Sequence, residues 1–208
     1  MNNYEYIITS LPDITTGWKF GEKIPEDYIE EITSLCSEKD KAAIAFLLEG
    51  FDDSKLAPEF YISAITHKNR FIREYFLFDL NVRNAKVRFL NKALGRAADK
   101  DVMSFGEETP EAVLDAVAAE FEETAALEAV FNLGDILARE RGIDDLMWDK
   151  ISSLTTFHYF DIEVILGFVA KLNIVARWFR LDEQTGREMF KKLVDEVRGT
   201  FKGVEYNG

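Results

Sequence analysis

Two histidines, one cysteine and a run of acids are the residues on which catalysis or metal binding would have to rest in this chain. His67 and His158 stand far apart, and neither has a second histidine one helical turn away, the spacing that lets a helix offer two nitrogens to one ion. Asp161 follows His158 by three residues and can share its helix face, yet the reading favoured for His158 is a surface histidine near a helix start rather than a ligand. Cys36 closes an amphipathic stretch with no histidine near it in sequence, which suits a core thiol better than a nucleophile. Within "EETPEAVLDAVAAEFEETAALEA", Asp115, Glu120 and Glu123 have ligand chemistry. No Glu-x-x-His helix completes a two-metal bundle with them, so a solvated helix face is expected. "ALGR" and "SFGEE" lack the glycine spacing of a phosphate loop, and no serine-centred nucleophile elbow is present. The expectation is no catalytic residue, no cofactor and no metal, with neither nucleotide nor metal bound by the isolated chain.

One polar cluster stands out from this background. In the segment after Asn69, Phe71, Tyr75, Phe78, Val82, Ala85 and Phe89 recur at intervals of three and four, the signature of a helix with one face in a core. The same segment carries "DLNVRNAKVR", which adds Asp79, Arg83, Asn84, Lys86 and Arg88 to an otherwise apolar helix. Those five are the candidate partner-binding residues: a polar, partly basic side offered to another helix. The alternative is an ordinary wet face.

The elements that must position these residues read almost entirely as helix. Pro25 with acids behind it, Ser37, Pro58, Asn69 and Thr109-Pro110 are helix starts by capping chemistry; Gly50 and Gly95 are stops. The spacing predicts one long helix from Pro110 to the arginines before Gly142, then a helix capped by Asp144. "FDIEVILGFVAKLNIVARWFRLDEQTG", residues 160–186, is apolar at nearly every turn. Its length, with acids first and arginines last, favours helix over strand, with a break expected near Leu172-Asn173. A last amphipathic helix is expected from Asp182. "YEYIITSLP" and "GVEYNG" read as extended, and "AADKDVMSFGEE" as a linker. The fold class expected is all-α, a funnel-like antiparallel bundle or repeat with short extended termini. Its halves are residues 1–98 and 99–208, packed together and possible to count as one domain.

With 25 basic and 38 acidic residues, the net charge is −13, which repels phosphate backbones and anionic lipid heads. Nucleic acid and bare membrane are therefore poor partners, and a basic protein surface a better one. The apolar segment has no uncharged run beyond Val164–Ala170, whereas a membrane helix needs about 20 apolar residues, so no direct insertion is expected. One cysteine permits no internal disulfide, which fits a reducing compartment, and the opening residues have no signal-peptide pattern.

"LNVRNAKVR" at Leu80 and "LNIVARWFR" at Leu172 echo each other, each late in a long apolar helix. "DLNVRNAKVRFLNKALG" resembles the Asp…Asn-Leu-Lys…Arg helix repeated in the C-type, or d-type, stalk protein of archaeal- and vacuolar-type rotary ATPases. Residues 160–186 resemble that family's other repeated helix, in which an acidic start precedes an apolar stretch and a Glu-x-x-Asn-Leu-Arg ending. "YEYIITSLPDI" is similar to an uncharacterised bacterial family that accompanies bacterial rotary ATPases of this type. The resemblance covers about half the chain, mainly residues 70–95 and 145–187. The departures are clear: family chains are longer and carry three repeats where this one has room for two, and the second motif reads Asn173 to Ala176, losing its polar signature. The resemblance implies an all-helical, non-catalytic central-stalk subunit between rotor shaft and membrane ring, cytoplasmic and peripheral to the inner membrane through the complex. A helical adaptor unrelated to rotary motors is the alternative, and a small enzyme using acids that cannot be picked out is a distant third.

Overall fold

The computed structural model describes residues 4–21 and 23–181. Among them are nine α-helices and no strand: α1 (Glu5–Ser10), α2 (Pro25–Leu35), α3 (Glu38–Glu49), α4 (Pro58–Ile65), α5 (Arg70–Ala93), α6 (Glu111–Ala118), α7 (Thr124–Phe131), α8 (Ile136–Thr155) and α9 (Ile162–Leu181), with a 3-10 turn at Asp53–Lys55. The all-α expectation holds. The helix expected after Asp182 and the extended "GVEYNG" lie outside the described residues.

The helix ends are set by local chemistry. Ser37 Oγ accepts the Asp40 amide at the start of α3, and Asn69 Oδ1 accepts the Ile72 amide at the start of α5. The Asp27 carboxylate reaches back to the Ile24 amide just ahead of Pro25. At the far end of α5, Gly95 adopts φ +64°, and the Arg96 amide returns 2.8 Å to the Asn91 carbonyl. This is the left-handed glycine cap expected of that residue.

Four expectations fail, each for a physical reason. "YEYIITS" is helical: Tyr4 and Ile7 are buried, Ile8 and Leu11 partly so, and that three-and-four spacing outweighs the strand preference of its tyrosines and isoleucines. The helix expected over 110–141 is three pieces. The chain opens at Ala119 and turns the Phe121 ring edge-on to Phe78 at 5.3 Å, then breaks again at Asn132–Gly134. Asp144 caps nothing. Asp135 starts α8 by accepting the Ala138 amide, and Asp144 is buried two turns inside. Finally, α9 runs unbroken through Leu172-Asn173.

That continuity explains the apolar segment. From Ile165 to Ala176, α9 is buried on nearly every side, with α2, α3, α5 and α8 around it. A helix apolar all round belongs in the middle of a protein. No described helix is long and apolar enough to cross a membrane. Ion pairs fix the directions of the long helices. Lys86–Glu140 and Glu74–Lys150 set α8 antiparallel to α5, and Asp144–Arg177 together with Gly167 against Thr155 sets α9 antiparallel to α8. The starts of α5 and α9 therefore lie together. One apolar core joins the two halves, since α5 packs on α4 and also on α6, α7, α8 and α9.

The end of α3 shows how tight this packing is. Phe60 and Phe76 meet edge to face at 4.9 Å directly over Gly50, where a Cβ would lie 2.2 Å from the Phe76 ring and 2.7 Å from Phe60. Gly50→Ala should lower stability by roughly 1–3 kcal/mol, the usual effect of overpacking. Phe168→Ala, which empties a site on α9, should cost about 3–5 kcal/mol. Urea denaturation of both variants checks the pair.

Candidate functional site

The five polar residues of α5 do not form one free face. Asp79 is largely buried, and its Oδ2 accepts from the Tyr61 hydroxyl at 2.6 Å and from Arg83 Nε at 2.7 Å. Arg83 also reaches the exposed Asp53 at 3.0 Å through Nη2. Lys86 pairs with Glu140 of α8 at 2.5 Å, and Arg88 with Asp99 at 2.9 Å. All three bases of the set are thus matched by acids of the same chain. Burial pushes the Asp79 carboxyl up against the pull of Arg83 and Tyr61, and it pushes the Tyr61 hydroxyl up as well.

Asn84 faces inward. Its Oδ1 accepts the Met103 amide at 3.0 Å, while Asn91 Nδ2 donates to the Ala98 and Lys100 carbonyls at 3.0 and 2.5 Å. The expected linker is therefore stapled along α5 by two buried asparagines that read its main chain. Of the five residues, Arg88 alone is exposed as a whole. Beside it, Phe89, Leu127 and Phe131 floor a groove of about 1040 Å³ between α5 and α7, with Lys92 and Arg96 on its α5 side. Phe89 stacks on Phe131 at 5.0 Å, and neither Lys92 nor Arg96 has an ion pair among the described residues.

The echoed motif on α9 builds a second clamp. Asp144 of α8 is buried, and its Oδ2 accepts from Arg177 and, at 2.5 Å, from the Trp178 indole. Arg141 lies over the same indole at 4.4 Å. Burial pushes the Asp144 carboxyl up, while Arg177 and Trp178 pull it down. So Arg83 and Arg177, one arginine from each echoed segment, each close on a largely buried aspartate that shares one oxygen with an aromatic donor. The sequence carried the echo but not the acid that completes the second clamp, 33 residues away.

The chemistry-bearing residues elsewhere are settled differently. His67 is stacked on Phe46 at 5.1 Å, its Nδ1 accepts the Asn69 amide at 3.0 Å, and burial pushes its pKa down: a neutral structural acceptor. Cys36 is buried, which raises its thiol pKa. His158 has company that sequence spacing only half disclosed. Its Nδ1 lies 2.6 Å from Asp161 Oδ2 and 4.0 Å from Glu163 Oε2, in the turn between α8 and α9. One nitrogen and two carboxylate oxygens there fall within 4.8 Å of one another, a set able to hold a cation. Burial, then the charge of Asp161, pushes the Glu163 carboxyl up.

The two kinds of arginine should differ on mutation. The Asp144 side chain is 6 % exposed and that of Arg177 46 %. Arg177→Met leaves a buried carboxylate short of its cation and should cost roughly 2–4 kcal/mol, less than a wholly buried pair because half the guanidinium is solvated. Arg88→Ala removes only a surface pair and should cost under about 1 kcal/mol. Chemical denaturation of the two variants separates them.

No curated protein and no solved structure matches the chain. A family model described as "Protein of unknown function (DUF2764)" matches residues 52–200, from the 3-10 turn before α4 past the end of α9. That is well over half of the 208 residues, and the chain belongs to the DUF2764 family.

Proposed function

We propose that this chain is a non-catalytic central-stalk subunit of a V/A-type ion-translocating ATPase, held between the rotor shaft and the membrane ring. The reading is carried by one observation. The two segments that resemble the repeated helices of the rotary-ATPase stalk family lie on α5 and α9, two core helices in contact, and each carries an arginine, Arg83 or Arg177, clamped to a largely buried aspartate. A subunit that transmits torque needs helices locked in register, and these clamps tie α9 to α8 and α5 to α4 without any catalytic group. Its place would be the cytoplasmic side of the inner membrane, peripheral through the complex, with no contact to nucleic acid. The net charge of −13 suits a neutral or basic partner surface over most of the chain.

The docking surface for the shaft or ring would be the α5–α7 groove, with its apolar floor and with Arg88 at its lip. Arg88 and Asp99 are both well exposed, so the pair contributes little and a partner carboxylate can take the place of Asp99. Asp79, Arg83, Asn84 and Lys86 support this surface from behind by fixing α4, the 94–109 segment and α8 to α5. The apolar floor of the groove also accommodates the second reading, a helical adaptor outside any rotary motor.

Arg88→Glu combined with Lys92→Glu should leave helix content and melting temperature nearly unchanged. It should weaken co-purification with the motor complex and uncouple ATP hydrolysis from ion pumping in reconstituted vesicles. Full binding and coupling in the double variant would remove the groove from the interface. Failure of the wild-type chain to co-purify with any motor subunit, together with a gene neighbourhood lacking them, would move the reading to the adaptor.

A further inference from the structure

The turn from α8 to α9 gathers three donors that the two arginine clamps do not use. His158 comes from the turn itself, Asp161 from the residue just before α9, and Glu163 from its first turn. We propose that His158, Asp161 and Glu163 bind one divalent transition cation of the zinc type, a site that does not depend on the stalk reading.

The geometry is close to what such an ion requires. Zinc bonds to nitrogen and oxygen at about 2.0–2.2 Å, so tetrahedral donors stand roughly 3.4 Å apart. Here Nδ1 is 2.6 Å from one carboxylate oxygen and 4.0 Å from the other. Side-chain torsions cover both adjustments, which are under an ångström.

The surroundings orient the set. Asn69 Nδ2 donates to Glu163 Oε1 at 3.2 Å, which fixes the carboxylate and leaves Oε2 turned to the imidazole. Asp161 is 13 % exposed in its side chain, and its Oδ1 is buried with no hydrogen-bond partner. Asp161 holding the ion through both oxygens would give this buried, donorless Oδ1 a partner, which no hydrogen bond among the described residues does. Lys68 and Arg70 line the adjoining hollow, yet no lysine or arginine pairs with Asp161 or Glu163 within 4.0 Å among the described residues. The dipole of α9 favours ionised carboxylates at its start. One imidazole among the donors selects zinc-like ions over magnesium or calcium, which prefer oxygen alone. Three protein donors leave a fourth position for water. The bound ion would hold the turn that displays Phe157 and Tyr159, which are 86 % and 68 % exposed.

Calorimetric titration of the metal-stripped full chain with ZnCl₂, MnCl₂ and MgCl₂ tests the site. One Zn²⁺ should bind per chain, more tightly than Mn²⁺, with Mg²⁺ much weaker. His158→Gln and Asp161→Asn should each weaken Zn²⁺ at least about tenfold, while Cys36→Ala should not. Zn²⁺ should also slow chymotrypsin cleavage after Phe157 and Tyr159 in the wild type and not in His158→Gln. No saturable binding would overturn the proposal, as would Mg²⁺ binding as tightly as Zn²⁺, or unchanged Zn²⁺ affinity in His158→Gln. That variant decides alone if Asp161→Asn fails to fold, because His158 is part-exposed at a turn.

Discussion

The structure depends on the burial of α9. A helix apolar on nearly all sides cannot lie on a surface, and no described helix is long and apolar enough to cross a membrane. Four other helices must enclose it, and their lengths and directions follow from that duty. The charge excess is the complement of the same constraint: with so much apolar area inside, most of the acids lie at the surface.

Burial by itself is not directional, because apolar surfaces slide over one another at little cost. Register comes from the few polar groups carried inward. Shifting α9 by one residue against α8 would strand Asp144 without Arg177 and Trp178, and an unpaired buried charge is far more costly than a displaced methyl group. Asp79, with Tyr61 from α4 and Arg83 from its own helix, does the same for the α4–α5 pair. Close approach adds a steric stop. At Gly167 a Cβ would meet Thr155 of α8 at 2.6 Å, so α8 and α9 touch where no side chain intervenes.

Much of this was legible in the sequence, and the failures share a cause. The core stripe from Phe71 to Phe89, the caps at Ser37 and Asn69 and the glycine stop after α5 are local signals, and each is found in place. Asp144 misled because an aspartate after a glycine reads as a cap; only its partner on α9 reveals a buried ion pair. Phe121 broke an otherwise good helix because Phe78, far earlier in the chain, offered its ring a better site. The polar face of α5 was read correctly as polar but not as occupied. Its acids lie at Asp53, Asp99 and Glu140, on three other parts of the chain. The α1 helix was within reach, since positions 4, 7, 8 and 11 already keep helical time.

Asn69 joins two of these layers with one side chain. Its carbonyl oxygen holds the first turn of α5, and its amide nitrogen holds Glu163 in the first turn of α9. The amide is planar, so rotating it away from one helix also withdraws it from the other. Fraying, which in most proteins begins separately at each helix end, here has one side chain in common to both starts. Loosening the start of α5 thereby also removes a bond from the start of α9.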